Sequence, residues 1–237
     1  MSEFVQLWDG GPCFAQAEHF KLGTDSVLLA DFVRLSGVKR GIDLGCASGI
    51  IALLLLCRSK TLHMCGLEID PAAAALAREN MEKNVLSDRS EIICGDIRDH
   101  RALFKAGSFD LVAANPPYFA ADSGFLSPDT ARAAARGELQ CTLHDLCAAA
   151  AFLLKTGGTL SLVFRCERFP ELLRTMEELG IEPKRLRFVQ NSASSAPKLF
   201  LIEGRKGGNP GLKIEAPLLL TGSSGNESEE YKRIYHR

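Results

Sequence analysis

The feature that most constrains the fold is an alternation of short apolar runs and helix-like segments between residues 41 and 115. Runs at 41–44, 63–69, 91–94 and 109–114 have the length of buried strands, and amphipathic or Ala-rich segments separate the first three. Strands and helices that alternate at this length indicate a parallel sheet with helices on both faces. The pattern therefore predicts an α/β domain in which the strands end at one common edge.

Small and polar residues stand where these predicted strands end. In an open parallel sheet, ligands bind outside the carboxyl ends of the strands. Small residues let the backbone approach a ligand closely, and carboxylate and amide groups accept or donate hydrogen bonds. The residues at these positions are Gly45 to Gly49, Glu68, Asp96 and Asn115.

The sequence Asn115-Pro116-Pro117-Tyr118 follows the fourth strand and predicts the reactive part of the site. Two consecutive prolines fix φ and remove two backbone N–H groups, so the segment is stiff and its carbonyls remain free as acceptors. Asn115 adds a side-chain carbonyl and Tyr118 adds a flat aromatic face. A planar group that carries an amine could be held by the two acceptors while its ring stacks on Tyr118.

The remaining segments complete the predicted organisation. Residues 1–22 form a lead-in that suits a hairpin, 23–221 form the main domain, and 222–237 form a polar tail. The pattern leaves open whether this tail is partly disordered or docks through Tyr231, Ile234 and Tyr235. The other predicted elements are a helix capped by Thr24 or Asp25 and ending at Gly37, a long loop over 119–141, helices over 142–154 and 168–179, and strands over 159–164, 185–190 and 199–203. The last two strands have too short a connection for a crossover helix and should pair antiparallel.

Composition narrows the class of protein. The 237 residues are 46% hydrophobic and carry a formal net charge of −1, which suits one large domain and decides nothing about a polyanionic partner. The eight cysteines stand singly, without zinc-site spacing, so we expect reduced thiols and no metal. Neither a signal peptide nor a membrane span is visible, and we expect a cytoplasmic protein.

Residues 23–203, with seven predicted strands ending in an antiparallel hairpin, resemble the class I S-adenosylmethionine-dependent methyltransferases. The resemblance implies a Rossmann-like fold with a seven-stranded, mostly parallel sheet, and S-adenosylmethionine as cofactor with S-adenosylhomocysteine as product. It places the turn against the methionine part of the cofactor, Glu68 on the ribose and Asp96 on the adenine amine. The full set of cofactor residues that it implies is Gly23, Thr24, Asp43, Gly45, Ala47, Ser48, Gly49, Glu68, Asp96, Ile97 and Asn115. The family usually has glycine where this chain has Ala47.

The Asn-Pro-Pro-Tyr segment resembles the catalytic motif of methyltransferases that act on conjugated amino nitrogens, either adenine N6 or the glutamine amide. Such nitrogens are weak nucleophiles because their lone pair is delocalised. The Asn115 side-chain oxygen and the Pro116 carbonyl would hold both N–H bonds and aim the lone pair, and positioning of this kind can supply much of the rate. We assign no general base.

A basic strip suggests an RNA substrate. Between Lys184 and Lys213 there are seven basic residues and one acid, a density that suits contact with phosphates. The candidate contacts are Lys184, Arg185, Arg187 and Lys198, with Arg132 and Arg136 in the long loop.

Longer motifs at 20–30, 115–119, 182–189 and 201–204 are similar to the bacterial tRNA(Val) adenine-37 N6-methyltransferase family. This resemblance implies methylation of the adenosine beside the anticodon, with tRNA as partner, no membrane and no obligate protein partner. Gly137 departs from the histidine expected in that family.

Other interpretations stay open at this point. A glutamine N5-methyltransferase of release factors shares the tetrad, but that family carries a sizeable helical domain before its glycine-rich motif, and only about forty residues precede it here. Another N6-adenine or N2-guanine RNA methyltransferase, and a non-catalytic RNA-binding module on the same fold, are further alternatives. An NAD-dependent oxidoreductase would require G-x-G-x-x-G, which residues 45–49 do not supply.

Overall fold

The computed structural model describes residues 3–16, 23–116 and 141–237. The strands in this part of the chain are β1 (Val5–Gln6), β2 (Cys13–Phe14), β3 (Arg40–Leu44), β4 (His63–Glu68), β5 (Ser90–Cys94), β6 (Phe109–Ala114), β7 (Leu154–Arg165), β8 (Ile181–Gln190), β9 (Leu199–Lys206), β10 (Lys213–Ile214) and β11 (Leu218–Leu219). The α-helices are α1 (Thr24–Phe32), α2 (Ile50–Arg58), α3 (Pro71–Lys83), α4 (His100–Leu103), α5 (Leu143–Leu153), α6 (Phe169–Glu178) and α7 (Glu229–Ile234).

The central sheet has the strand order 10-8-9-7-6-3-4-5, with β11 also paired to β8. Strands β7, β6, β3, β4 and β5 pair parallel, whereas β9 lies antiparallel between β7 and β8. The α/β class, the mostly parallel sheet and the antiparallel hairpin are therefore confirmed. Among the described residues the sheet has nine strands: the seven predicted ones, β3 to β9, and the two-residue strands β10 and β11, which extend its edge.

Apolar side chains fill both faces of the sheet. One cluster joins α1 and α2 to the sheet and includes Leu29, Leu53 and Ile234, while the other is built on α5 and α6 and includes Leu146 and Met176. Four of these five side chains have no exposed surface, and Ile234 keeps 5%. Helices thus cover both faces, as the alternation of elements predicts.

Helix α1 ends five residues before the predicted stop at Gly37, because arginines from elsewhere take its last carbonyls. Arg58 donates to the carbonyls of Ala30 and Val33, and Arg185 donates to that of Phe32. Guanidinium groups donate to the carbonyls that have no intrahelical partner at a helix C-terminus, and their positive charge is favourable next to the negative end of the helix dipole. The predicted cap is also corrected, since Gly23 is the N-cap residue and no side chain caps this end.

Two strands are longer than their apolar runs suggest. Strand β7 begins at Leu154, so the predicted turn at 155–158 lies within it, beside a register shift opposite Phe109 and Leu111. Strand β8 begins at Ile181, with a register shift just after Pro183. Proline donates no ladder hydrogen bond and is tolerated at such an irregularity.

The two ends of the chain are folded where they are described. Strands β1 and β2 form the predicted hairpin, with Val5 opposite Phe14. Of the two states that the sequence left open for the tail, the structure shows the docked one, because α7 begins after a Ser228 cap and buries Ile234. The rings of Trp8 and His236 stack with centroids 4.1 Å apart and so join hairpin and tail.

Candidate active site

The candidate site lies at the carboxyl edge of β6, β3, β4 and β5, which are neighbours in the sheet. Their pairings are parallel, and Glu68 at the end of β4 stands opposite Cys94 at the end of β5. The turn at 45–49, Asp96 and Asn115 follow these ends directly. The predicted residues from four separated stretches therefore lie along one edge.

The turn at 45–49 has three residues in the left-handed backbone region, which glycine adopts more easily than residues with a Cβ. Gly45, Ala47 and Gly49 have φ values of 72°, 47° and 82°. This left-handed region costs a residue with a Cβ about 1–2 kcal/mol. Ala47 is therefore strained, at the position where related sequences are expected to carry glycine.

Hydrogen bonds fasten the first half of the turn to the end of β4. The N–H groups of Gly45 and Cys46 donate to the Leu67 carbonyl at 2.8 and 3.1 Å. The N–H of Ala47 donates to Oε2 of Glu68 at 2.8 Å. Glu68, at the end of β4, thus holds the turn in place in addition to lying at the site.

Glu68 is 9% exposed and keeps capacity for a ligand. Its Oε1 accepts from the N–H of Asp70 at 2.9 Å, and its Oε2 accepts from Ala47. Each carboxylate oxygen has a second acceptor site, so ribose hydroxyls could still be bound. Ile69, which follows, is 53% exposed at the same edge and offers an apolar surface that the sequence pattern did not single out.

Asp43 lies beneath the turn and has no exposed surface. Burial, followed by the negative charge of Glu68, raises the pKa of Asp43 to about 8, and the Ala52 N–H opposes the shift. Within the described part of the chain neither carboxylate oxygen makes a hydrogen bond of ordinary geometry. Burial and the neighbouring charge of Glu68 thus both favour the neutral form of this carboxyl, which has no exposed surface at the end of β3.

Asn80 is a residue of this site that the sequence pattern did not single out. It is fully buried on α3, and its Nδ2 donates to the Ser48 carbonyl at 2.9 Å and to the Ala15 carbonyl at 2.8 Å. Its Oδ1 accepts from the Ala15 N–H at 2.8 Å. The Ser48 hydroxyl is buried and has no partner in the described ranges. An asparagine on the apolar face of an Ala-rich helix was the available signal.

Asp96 is already engaged by its neighbour. Its carboxylate accepts from the backbone N–H of Arg98 at 2.8 Å and from Nε of the same residue at 2.9 Å. The hydrogen bond from Arg98 holds the pKa of Asp96 below its usual range. An adenine amine would therefore share this carboxylate with Arg98. Ile97 packs against the core at the same corner.

Asn115 stands at the end of β6 with its amide held from one side. Its Nδ2 donates to Oγ of Ser26 in α1 at 2.9 Å, and Ser26 is 8% exposed. This contact directs the amide nitrogen toward α1 and leaves Oδ1 as an acceptor for a ligand. Pro116 follows directly, whereas Pro117 and Tyr118 lie outside the described residues.

The start of α1 contacts the C-terminal helix. Gly23 is the N-cap residue, and Thr24 makes a side-chain hydrogen bond with Tyr235. Burial raises the pKa of Tyr235, and the contact with Thr24 opposes that shift. Thr24, one of the cofactor residues that the resemblance implies, thus contacts the tail of the chain.

Some cations of the basic strip are paired with carboxylates of the protein, and others are exposed without such a partner in the described ranges. Arg185 is 6% exposed, lies 3.3 Å from Glu203 and covers the Phe32 ring at 3.7 Å, which is at odds with a direct RNA contact. Arg187 makes a two-pronged pair with Glu230 at 2.8 and 2.7 Å. Lys198 is exposed, and Lys184 is partly exposed, with its Nζ donating to the Asn209 carbonyl at 2.9 Å. Arg132 and Arg136 lie outside the described residues.

Residues 3–16, 23–116 and 141–237 contain neither a metal-binding cluster nor a membrane-spanning helix. Within them, His, Cys, Asp and Glu side chains form no group of three or more placed to hold a metal ion. Among the helices of the same ranges, none has the length and apolar character needed to cross a bilayer.

Comparison with known proteins places this geometry in a family. Residues 14–179 match the family model for the methyltransferase small domain. A tRNA1(Val) (adenine(37)-N6)-methyltransferase of Bacteroides thetaiotaomicron is 32% identical over 215 residues, which cover 90% of this chain and 88% of that protein.

Solved structures with low sequence identity share the fold. A predicted O-methyltransferase of Agrobacterium tumefaciens superposes with a TM-score of 0.73 at 20% identity, over 90% of this chain and 96% of that one. Geranyl diphosphate C-methyltransferase of Streptomyces coelicolor, solved with S-adenosyl-L-homocysteine, gives a TM-score of 0.53 at 15% identity, over 71% of this chain and 73% of that one.

Proposed function

Because this chain belongs to the family of tRNA1(Val) (adenine(37)-N6)-methyltransferases, we propose that it methylates N6 of adenosine 37 in tRNA1(Val), with S-adenosylmethionine as cofactor. The observation that carries the proposal is the position of Asn115 and Pro116 at the end of β6, beside the turn that follows β3. The Asn115 side-chain oxygen and the Pro116 carbonyl, which would accept hydrogen bonds from the substrate amine, thus lie next to the residues suited to the cofactor.

The described residues fit this cofactor. A Cβ built on Gly45 would meet no atom within 4 Å, so open space faces the turn. The turn would lie against the methionine part, Glu68 would accept from the ribose hydroxyls, and Asp96 with Ile97 would hold the adenine. S-adenosylmethionine supplies an electrophilic methyl group when it is bound.

Asn115 and Pro116 make a poor nucleophile usable by positioning it. The lone pair of adenine N6 is delocalised into the ring, and two acceptors on its N–H bonds favour the pyramidal form in which the lone pair is localised. The Asn115 Oδ1 and the Pro116 carbonyl provide those acceptors. Fixed orientation of this kind can supply a large part of a rate enhancement. No residue needs to act as a strong base, because the alkylated nitrogen loses its proton readily.

Lys184 and Lys198 support an RNA substrate. They are the members of the predicted contact set that are both described and at least partly exposed without a carboxylate partner of their own in the described ranges. Lysine contacts with phosphates add affinity without reading sequence. A tRNA substrate would also place the enzyme in the cytoplasm.

The test is methyl transfer to tRNA1(Val) transcribed without modifications, followed by nucleoside mass spectrometry. We expect N6-methyladenosine at position 37 and none in a transcript with guanosine there. Asn115→Ala should lower kcat by roughly 10² or more, as does the loss of one positioned polar group in other active sites. Its affinity for S-adenosylhomocysteine in calorimetry should change little.

Three results would contradict the proposal. Wild-type turnover in Asn115→Ala would remove the role of that side chain. Methylation of a release factor but not of tRNA would favour the glutamine enzyme. Binding of tRNA without binding of the cofactor would favour a non-catalytic RNA-binding module.

A further inference from the structure

Asn80 occupies a junction between three parts of the chain. It lies on the buried face of α3, has no exposed surface, and bonds to backbone atoms of the N-terminal segment and of the turn. Both donors and the acceptor of its amide are used at 2.8–2.9 Å. A fully satisfied buried amide of this kind fixes the relative position of what it joins.

The turn is consequently held from two sides. On the strand side, its first residues bond to the Leu67 carbonyl and to Glu68. On the helix side, the Ser48 carbonyl accepts from Asn80 at 2.9 Å. Gly49 comes close to α3 at the same place, since a Cβ there would lie 3.2 Å from that of Ala77. Asn80 is the polar part of this helix-side support.

Asn84 is a natural control, one helical turn further along the chain at the end of α3. It grips the N-terminal segment in the same way, because its Oδ1 accepts from the Cys13 N–H at 2.9 Å and its Nδ2 donates to the Cys13 carbonyl at 2.7 Å. Its other donor bond goes to the Asn80 carbonyl within the helix. The two asparagines therefore share the clamp on the N-terminal segment, and of the two it is the Asn80 side chain that bonds to the turn.

We propose that Asn80 is a positioning residue for the cofactor-binding turn, and that through it the N-terminal hairpin becomes a structural part of the cofactor site. The proposal rests on the function proposed above. Loss of the Asn80 amide would free the Ser48 carbonyl and let the second half of the turn move. The ligand would then have to order the turn, and its affinity would fall without a change in the reacting groups.

The experiment compares wild type, Asn80→Ala and Asn84→Ala as full-length chains. We expect both variants to lose thermal stability, since each removes half of the clamp. Only Asn80→Ala should weaken S-adenosylhomocysteine binding in calorimetry, by about tenfold for one buried hydrogen bond. The KM for S-adenosylmethionine should rise with it, while kcat at saturating cofactor stays within about twofold of wild type, because the reacting groups are unchanged.

A second measurement needs no bound cofactor. Hydrogen exchange of the free protein should be faster in Asn80→Ala at the Gly49 amide, which donates to the Cys46 carbonyl at 2.7 Å in the second half of the turn, and unchanged there in Asn84→Ala. If Asn80→Ala does not fold, Asn80→Ser serves instead. Serine keeps a polar group at the buried position, but its side chain is too short to bond to Ser48 and Ala15 at once.

The outcomes separate this proposal from the function on which it rests. Equal losses of affinity in the two variants, or none in either, would overturn the role of Asn80 while leaving the function intact. A wild-type protein that does not bind S-adenosylhomocysteine would refute the cofactor assignment. In that case faster exchange in Asn80→Ala alone would still show that Asn80 holds the turn, and equal exchange would overturn it.

Discussion

The hydrogen bond between Ser26 and Asn115 gives the sharpest prediction about turnover. Ser26→Ala removes the oxygen that accepts from Nδ2 of Asn115 at 2.9 Å. The amide nitrogen then lies at a mostly buried position without that acceptor, and it is free to turn its N–H groups toward the substrate amine. Two facing sets of N–H donors repel, so the productive orientation of Asn115 becomes less populated.

The size of the effect follows from the cost of leaving the Asn115 amide without its acceptor. A buried donor that is unsatisfied costs about 1–3 kcal/mol, and about 1.4 kcal/mol corresponds to a factor of ten. We therefore expect kcat to fall by about tenfold, within a range of about five- to 150-fold. The KM for S-adenosylmethionine should change little, because the turn and Glu68 keep the hydrogen bonds that join them.

The assay measures kcat and both KM values by methyl transfer to tRNA1(Val). Ser161→Ala is the matched control, since the Ser161 hydroxyl is also buried but has no hydrogen-bond partner in the described part of the chain. Ser26→Thr keeps a hydroxyl and should recover part of the rate. A kcat for Ser26→Ala that equals that of Ser161→Ala would refute the reasoning.

Three further predictions concern the pH dependence of stability, tRNA binding and the buried Arg185. Because the folded pKa of Asp43 is raised from 3.8 to about 8, its stabilising contribution is complete below pH 4 and is lost as the pH rises toward 8. The unfolding free energy of Asp43→Asn minus that of wild type, measured in urea, should therefore increase between pH 4 and pH 8, and a constant difference would contradict the assigned burial effect. The double variant Lys184→Glu, Lys198→Glu should flatten the salt dependence of tRNA binding. Arg185→Ala should mainly lower the free energy of unfolding, by about 3 kcal/mol, because it leaves the buried Glu203 carboxylate without its partner. An unchanged salt slope in the first variant would exclude those lysines from the RNA contact.

The sequence predicts the sheet and its reactive edge well because both depend on local patterns. Strand length, helical periodicity and Pro71 at a helix start are written in adjacent residues. Glu68 and Asn115 lie at or directly after the ends of their strands, so predicting the strands also places these side chains at the edge. The parallel order then brings them together without any further information.

Features that depend on distant contacts could not be predicted in this way. Asn115 meets a serine 89 residues away, and Asn80 meets Ala15 across 65 residues. The end of α1 is set by Arg58 and Arg185, which no helix signal near Gly37 reveals.

Charge counting failed for a related reason. It treats every arginine of the basic strip as a surface cation, whereas folding directs the Arg185 guanidinium into the molecule and toward Glu203. The number of cations in a segment thus overstates the number available to a polyanion.

The stacking of Trp8 on His236 gives the protein a built-in optical reporter. Trp8 is the single tryptophan of the sequence, so all indole emission comes from the place where hairpin and tail touch. The segment that carries the hairpin is fastened by Asn80, and the tail supports Thr24. Unlabelled fluorescence therefore reports whether the hairpin and the tail stay in contact, and so distinguishes a variant with a loosened scaffold from one in which only the reacting groups are changed.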